Sequence, residues 1–258
     1  MKAAAFELAR PATLAEAVDL LAGGAGARVL AGGQSLGPML NLRLAQPRLL
    51  VQVTRLPELC GVHTDADAMT IGGCVTHSAI ADGLASDVDG GVLARVAADI
   101  AYRAVRNRGT IGGSLCHADP AADWVTVLIA LGASVLLQGL DGMRRLRAAD
   151  FVEGAFRTAL RSGELLRDIR IPRLPAGARW AYEKACRKPG DFAHAMAAVL
   201  LYDGTRRVVI GALGGRPLVL EGAAASAAGA ADALQTIDPV QRHMQLVVLR
   251  RALARAAA

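Results

Sequence analysis

The sequence predicts an α+β protein whose first part has an α/β beginning and whose C-terminal part is an antiparallel region with helices. Near the N-terminus an amphipathic helix pattern stands between two short apolar segments, as in a strand–helix–strand unit. Residues 174–177 read Leu-Pro-Ala-Gly, which marks the best domain boundary in the chain. Beyond it, apolar segments flank the turn residues Asp203 and Gly204, which indicates paired strands.

The first 53 residues carry the α/β pattern. Residues 6–11 predict a short strand that ends at Pro11, and Thr13 is then a candidate helix N-cap, because Glu16 stands three residues later as its capping-box partner. The helix should end at the glycines 23 and 24, and its apolar residues recur at helical spacing: Leu14, Ala17, Val18 and Leu21. Residues 28–31 and 49–53 predict strands, with a short helix over residues 39–44 between them.

The middle of the chain alternates between strands and helices. Residues 62–64 and 69–72 predict a hairpin, and Thr76 is a candidate N-cap for a helix over residues 78–84. Gly90 and Gly91 break the chain before residues 92–105, one long amphipathic segment with its apolar positions on one helical face. The remaining expectations are a helix at 123–131, strands at 133–138 and 144–146, a helix or loop at 150–160, and a strand at 165–172.

The C-terminal part follows the boundary at 174–177. Residues 179–186, 195–202 and 207–213 predict the helix-bearing antiparallel region, and the alanine-rich residues 221–233 predict a helix around Gly229. A final helix is predicted over residues 239–257, with four residues facing inward: Met244, Val247, Val248 and Ala252.

Composition and charge exclude some classes of protein. The 258 residues are 53% hydrophobic, and the net charge is +6, with arginine supplying nearly all the positive charge. The arginines are scattered and lack the interleaved aromatic residues that base stacking requires, which argues against nucleic-acid binding. A charged docking face for a partner protein, or solubility alone, explains the charge as well.

Cysteine usage predicts a cytoplasmic protein without a metal site in this chain. The cysteines form no C-x-x-C and stand at no metal-ligand spacing with a histidine: Cys60, Cys74, Cys116 and Cys186. Isolated thiols fit a reducing cytosol. Glu7 and Arg10 come too early for a signal sequence, and no apolar run is long enough to span a bilayer.

Two glycine-bearing turns carry the chemistry, and we call residues 30–37 and 108–114 the first and second glycine segments. Each has two glycines that can take positive φ and admit a ligand to the backbone: Gly32 and Gly33, then Gly112 and Gly113. Successive N–H groups in such turns form anion-binding concavities, and nearby hydroxyls add donors: Ser35, Thr110 and Ser114. We therefore predict two sides of one diphosphate cradle, with an ordinary left-handed turn as the alternative for Gly112 and Gly113.

Four separated motifs then occur in one order. They are AGGQSL from residue 31, GTIGGSLCHADP from residue 109, GELLRDIRIP from residue 163 and YEKACRKPGD from residue 182. Together they resemble the medium, FAD-binding subunit of the molybdenum hydroxylases, the carbon monoxide dehydrogenase and xanthine dehydrogenase family. Either glycine segment alone would be a weak signal; four motifs in order are specific.

The resemblance implies a fold and a domain division. Residues 1–173 should form the two-part α/β FAD-binding domain of the vanillyl-alcohol-oxidase (PCMH) type, with subdomains at about 1–53 and 54–173. Residues 174–258 should form a small C-terminal antiparallel sheet with helices, of the carbon monoxide dehydrogenase flavoprotein type.

The resemblance also implies a complex. Such subunits assemble with a large molybdopterin subunit and a small subunit carrying two [2Fe–2S] clusters, usually as a dimer of heterotrimers. Electrons pass from the iron–sulfur clusters through FAD to an external acceptor, which here could be NAD, a quinone, a cytochrome or oxygen. The substrate binds in the molybdenum subunit, so this chain does not identify it.

The resemblance assigns the cofactor-binding residues position by position. Those of the two glycine segments should hold mainly the diphosphate, Asp123 should accept hydrogen bonds from FAD hydroxyls, and the other four should lie against the cofactor or its ring. The set is Leu30, Ala31, Gly32, Gly33, Gln34, Ser35, Leu36, Gly37, Ile100, Thr110, Ile111, Gly112, Gly113, Ser114, Asp123, Leu166, Lys184 and Phe192. The family often has His at position 34 and Asn at position 114, and both replacements are polar.

Simpler structural roles stay open for several of these residues. Asp123 could cap the helix that follows it, Lys184 could be a solvated surface lysine, and Phe192 could belong to the core. His117 could be an acid or base, although packing near the second glycine segment is the commoner role. No nucleophile–base or carboxylate pair suggests hydrolysis, so we predict no catalytic residue.

Two other function classes compete with the electron-transfer subunit. One is a free-standing flavin reductase or oxidase with its own small substrate, although no substrate domain is recognisable. The other is a non-catalytic nucleotide-binding module, which would show no flavin colour. Co-purification of this chain with large and small subunits would distinguish the electron-transfer subunit from both alternatives.

Overall fold

The computed structural model describes residues 2–24, 26–85 and 91–258, and these fold as an α+β protein built on separate sheets, as predicted. The expected break at Gly90 lies outside the described residues, whereas Gly91 begins the next helix with φ +80°. Within the described ranges, no helix is long and apolar enough to cross a membrane.

A parallel sheet of three strands opens the chain. Its strands are β1 (Glu7–Ala9), β2 (Ala27–Leu30) and β3 (Leu49–Gln52), in the order β1-β3-β2, and its helices are α1 (Leu14–Gly23) and α2 (Leu36–Asn41). Thr13 is the N-cap as predicted, since its Oγ1 accepts from Glu16 N. Glu16 Oε2 accepts from the N–H of Ala12, one residue before the donor that a capping box uses. The apolar face of α1 is buried against this sheet, which is the α/β unit that the pattern predicted.

An antiparallel sheet of five strands forms the second layer. Its strands, in spatial order, are β4 (Val62–Thr64), β5 (Ala68–Gly72), β10 (Leu165–Pro172), β6 (Ser134–Gly139) and β7 (Gly142–Arg147). The short strands β8 (Val152–Gly154) and β9 (Arg157–Thr158) form a separate hairpin. The accompanying helices are α3 (His77–Ala81), α4 (Val92–Ala98), α5 (Arg103–Arg106), α6 (Ile111–His117), α7 (Asp123–Ala130) and α8 (Ala148–Phe151).

The largest core lies between this sheet and its helices. Trp124, Leu128 and Phe151 are fully buried there together with Ile71 and Ile169 of the sheet. Because aromatic residues are scarce, alanine, valine and leucine fill most of the remaining volume. The core fixes α6, whose first turn belongs to the second glycine segment, and α7, which follows it.

The C-terminal antiparallel sheet is built from β11 (Arg179–Ala185), β12 (Ala195–Tyr202), β13 (Thr205–Gly211) and β14 (Leu218–Glu221), in that order. Alternate residues of its central strands face opposite ways. Ala198 and Val209 join the core that contains α7, while Val199 and Val208 pack with α9 (Ala227–Ala233) and α10 (Pro239–Ala257). This sheet is therefore covered on both faces.

Four local predictions were wrong. Residues 150–160 are not simply a helix or loop, because they hold the end of α8 and the hairpin of β8 and β9. Residues 92–105 are not one helix but α4 and α5, because Ile100 forms a β-bridge with Gly190 and Ala101 takes φ +43° between them. Residues 221–233 are not one α-helix. Glu221 ends a strand that the sequence pattern did not indicate, residues 222–224 form a short 3₁₀ helix, and α9 begins only after its N-cap Ser226. On α10, Val248 and Ala252 are buried as predicted, but so are residues 245 and 249.

Candidate cofactor site

The two glycine segments meet in space. A Cβ placed on Gly32 would overlap the carbonyl oxygen of Arg108, and one placed on Gly113 would lie 3.7 Å from the Cβ of Ala31. Gly32 is therefore required for the close approach of the two chains. The contact brings residues 30–37 and 108–114 together, as a shared cradle needs.

The first glycine segment connects the end of β2 to α2 and presents free donors. In the part of the chain that the structure describes, no protein acceptor lies on the backbone N–H groups of Gly33, Gln34, Ser35 and Leu36. Gly33 takes φ +72°, the left-handed conformation that glycine favours. The side chain of Gln34 turns back to donate to Gly32 O at 3.1 Å. Successive free N–H groups at a helix start fit a phosphate group.

The second glycine segment is different. Thr110 is the N-cap of α6, and its Oγ1 accepts from Gly113 N at 3.1 Å. The N–H of Ile111 donates to Val75 O at 3.1 Å, and that of Gly112 to Gly73 O at 3.0 Å. The expectation of unblocked N–H groups was wrong for these three donors, because neighbouring chain segments already satisfy them.

The glycines of the second segment serve close packing and not a left-handed turn. Positive φ occurs at neither Gly112 nor Gly113, so that expectation and the alternative of an ordinary left-handed turn were both wrong. A Cβ on Gly112 would lie 2.5 Å from Gly73 O, and one on Gly73 would lie 2.7 Å from Leu166 O. The backbones of residues 73, 112 and 166 therefore stack at distances that only glycine permits.

A buried ion pair links α7 to the C-terminal sheet. Asp123 Oδ1 accepts from Lys184 Nζ and from the Tyr182 hydroxyl, each at 2.8 Å. Both ionised side chains are only 9% exposed, so Lys184 is not a solvated surface lysine. Ala122 is the N-cap of α7 and Asp123 makes no cap bond, so Asp123 does not serve as a cap either.

The chemistry of this cluster is set by its burial. Burial, followed by the charge of Asp123, holds the pKa of Tyr182 well above its ordinary range, so Tyr182 stays a neutral donor. Lys184 Nζ also donates to Asp99 O at 3.0 Å. Within the described residues, no protein donor lies on the second carboxylate oxygen of Asp123, which leaves an acceptor for a ligand hydroxyl.

A second buried contact joins this cluster to the second glycine segment. Trp124, beside Asp123, donates from Nε1 to His77 Nδ1 at 3.0 Å, and His77 N donates to Gly109 O at 2.9 Å. Burial and, to a smaller extent, the charge of the Arg106 guanidinium together lower the pKa of His77 to about 4. His77 is therefore a neutral structural acceptor at pH 7. His117 instead packs on Phe156, with ring centroids 5.1 Å apart.

The three apolar site residues outside the glycine segments differ in exposure. Leu166 is buried in the main core and Ile100 packs partly against it. Phe192 is 63% exposed, so the alternative of a core residue was wrong. The bridge from Ile100 to Gly190 places Phe192 two residues from Ile100's partner.

Sequence reasoning missed three residues that organise the site. Tyr182 lies two residues before Lys184 on β11, and this spacing could have placed both on one face of the strand. Gly73 gave no signal, because the backbone that it packs against is distant in sequence. Arg106 gave none, because its acceptors are backbone carbonyls, which no residue type marks.

Comparison with known proteins identifies the family of this chain. The family described as "FAD binding domain in molybdopterin dehydrogenase" matches residues 4–174. The nicotine 6-hydroxylase medium subunit of Paenarthrobacter nicotinovorans is 36% identical over 208 residues, 81% of this chain and 73% of that protein. The carbon monoxide dehydrogenase medium chain of Hydrogenophaga pseudoflava is 40% identical over 197 residues, 76% of this chain and 69% of that protein.

Solved structures extend the likeness to the whole chain. Carbon monoxide dehydrogenase from Hydrogenophaga pseudoflava superposes with a TM-score of 0.91 at 34% identity, covering 100% of this chain and 99% of that chain. Quinoline 2-oxidoreductase from Pseudomonas putida 86 gives a TM-score of 0.88 at 32% identity. These findings confirm the predicted family, fold class and FAD cofactor: this chain belongs to the family of FAD-binding domains in molybdopterin dehydrogenases and is an oxidoreductase component.

Proposed function

We propose that this chain is the electron-transfer subunit of a molybdopterin-containing hydroxylase or dehydrogenase. It receives electrons from the [2Fe–2S] clusters of a partner subunit and passes them through FAD to an external acceptor. The observation that carries the proposal is the row of free N–H groups at residues 33–36, held against the second glycine segment. Relatives of the chain bear names of medium subunits of such enzymes.

The residues present fit FAD. The free N–H groups of the first glycine segment bind the diphosphate, and the hydroxyls of Ser35 and Ser114 add donors. Asp123 would accept from a hydroxyl of the cofactor, while Lys184 holds that carboxylate in place. Bound FAD supplies the redox chemistry; the protein supplies position and electrostatics.

The domain division proposed for the chain follows its sheets. Residues 1–53 carry the parallel sheet, residues 54–173 the five-stranded sheet, and residues 174–258 the C-terminal sheet. The site residues come from all three, since residues 30–37, Asp123 and Lys184 lie in different parts. FAD binding is thus expected to depend on the whole chain.

The partners proposed are a large molybdopterin subunit and a small [2Fe–2S] subunit, in a dimer of heterotrimers in the cytoplasm. Support comes from the names of two relatives, which are medium chains and so belong to enzymes with other subunits. Phe192, an exposed aromatic residue beside the proposed site, is the residue type that protein interfaces favour.

The test is the visible spectrum of the purified full-length chain, followed by acid release of its ligand. We expect flavin bands and free FAD, and co-expression with candidate large and small subunits should give one complex. A colourless chain that takes up FAD neither alone nor with its partners would contradict the proposal. A yellow chain that never assembles and oxidises a small donor by itself would favour the free-standing flavoenzyme.

A further inference from the structure

The short segment between α4 and α5 is held in a strained conformation. Ala101 takes φ +43°, a left-handed conformation that costs free energy in a residue with a Cβ. Such backbone outliers persist only where surrounding contacts determine them, and they cluster at functional sites. Ile100, one residue earlier, is an expected contact of FAD.

Contacts from both sides hold this segment. Arg106 Nη1 donates to Ile100 O at 2.9 Å and to Ala101 O at 2.8 Å. From the C-terminal part, Lys184 Nζ donates to Asp99 O at 3.0 Å, and Gly190 O accepts from Ala101 N at 3.1 Å. The carbonyls of three successive residues thus each meet a cation.

Arg106 is placed for this task at some cost. Its guanidinium is half-buried, and its Nε is buried with no partner among the described residues. An unsatisfied buried donor is unfavourable, so the two bonds to the carbonyls are the interactions that this side chain retains. Its neighbour Arg103 is exposed and forms a surface ion pair with Asp82, although both belong to the same short helix.

We propose that Arg106 is a positioning residue that holds the backbone of Ile100 and Ala101 in its left-handed kink and so fixes Ile100 against the FAD. The inference rests on the proposed function, because Ile100 needs a bound cofactor to contact. The kink also requires Gly190, where a Cβ would lie 2.7 Å from Ala101 O. Arg106 therefore couples the FAD-binding part to the loop of the C-terminal part that precedes Phe192.

The test compares Arg106→Met with Arg103→Met in the full-length chain. We expect Arg106→Met to raise the Kd for FAD about tenfold or more, since it removes two charge-assisted bonds, and to change the visible circular dichroism of bound FAD. Arg103→Met should change neither. Arg106→Lys, which can still reach one carbonyl, should give an intermediate Kd.

A second substitution separates positioning from general stability. Ala101→Gly removes the cost of the left-handed conformation, so adding it to Arg106→Met should recover part of the FAD affinity. Amide exchange at residues 101 and 102 of the FAD-free protein should quicken in Arg106→Met and not in Arg103→Met. The exchange rates are compared below the unfolding temperatures of both variants, so that a general loss of stability does not account for a difference at residues 101 and 102.

Unchanged FAD affinity and circular dichroism in Arg106→Met would overturn the inference while leaving the proposed function intact. Absence of FAD binding by the wild-type chain, alone and in its complex, would instead overturn the proposed function. Loss of affinity in Arg106→Met without any recovery by Ala101→Gly would contradict the proposed route through the kink.

Discussion

The two glycine segments look alike in sequence and differ in what their backbones do. Residues 33–36 of the first segment leave their N–H groups free, whereas the second segment donates the N–H groups of Ile111, Gly112 and Gly113 inside the protein. The first segment needs Gly33 for its positive φ, and the second needs Gly112 for close packing. A glycine-rich motif can thus leave its N–H groups free for a ligand, or it can build the support for a neighbour that does so.

The largest expected effect comes from the contact between the two glycine segments, which a single added methyl group at Gly32 should disrupt. In Gly32→Ala the new Cβ would overlap backbone atoms of Arg108, which have nowhere to move without shifting the second segment. We expect the free energy of unfolding to fall by about 3 kcal/mol or more. Denaturant unfolding measures this loss.

Gly37→Ala is the matched control. Gly37 lies in the same segment with open space around its Cα and without positive φ, so its stability should change by less than about 1 kcal/mol. Equal losses in the two variants would show that the contact between segments is not the reason.

The next prediction concerns the buried ion pair of Asp123 and Lys184, which lies outside both glycine segments. Asp123→Asn leaves the Lys184 ammonium buried beside a neutral amide, and breaking a buried pair in this way costs about 3 kcal/mol. Thermal or denaturant unfolding provides the measurement. Because the cost arises from the uncompensated charge, the double variant Asp123→Asn/Lys184→Met should be more stable than the sum of the single changes predicts. If the stability losses of the two single variants simply add in the double variant, the two side chains are not coupled as an ion pair.

Acid should weaken the support of the second segment. The pKa of His77 is about 4 in the folded chain against an ordinary 6.5, so the unfolded chain takes up a proton first as the pH falls. The stability that His77 gives is complete above pH 6.5 and is lost towards pH 4, at up to about 1.4 kcal/mol per pH unit.

Unfolding free energies at pH 6.5 and 5.5 measure this slope. His77→Gln can still accept from Trp124 but does not titrate, so it should flatten the slope over this interval. The acidic groups with lowered pKa values, such as Glu164, titrate below it. An unchanged slope in His77→Gln would exclude His77 as the source.

The smallest expected effects on stability concern the hydroxyls of Thr110 and Ser35, one from each glycine segment. Thr110 caps α6 with its hydroxyl, so Thr110→Ala should cost about 1 kcal/mol of stability, and Thr110→Ser should restore it. Ser35 makes no cap bond at the start of α2, so Ser35→Ala should leave stability within about 0.5 kcal/mol and weaken FAD binding instead. Denaturant unfolding and FAD titration of both variants test this. A stability loss in Ser35→Ala together with weaker FAD binding in Thr110→Ala would contradict the roles given to the two segments.

Local signals predicted much of the fold. The N-cap at Thr13 and the hairpin at Asp203 and Gly204 depend on neighbours in sequence, and both are present. The helix over residues 92–105 was predicted wrongly, because helical spacing does not reveal the bridge from Ile100 to Gly190. Long-range pairing overrides local periodicity there.

The site follows the same rule. The juxtaposition of the two glycine segments was predicted from their chemistry, and they do meet. The internal bonding of the second segment was not foreseeable, because the acceptors Gly73 and Val75 come from a distant part of the chain. The roles of Tyr182 and Arg106 depend on contacts that the sequence does not reveal, although Tyr182 is the first residue of the fourth motif. The assignment of each site residue to FAD stays a prediction.

The most direct test of this account is amide exchange and chemical shift, measured by NMR on the full-length chain with and without FAD. We predict that the N–H groups of Gly33, Gln34, Ser35 and Leu36 exchange rapidly without FAD and become protected when it binds. Those of Ile111, Gly112 and Gly113 should be protected in both states. Protection by FAD that appears at residues 111–113 and not at residues 33–36 would contradict the account.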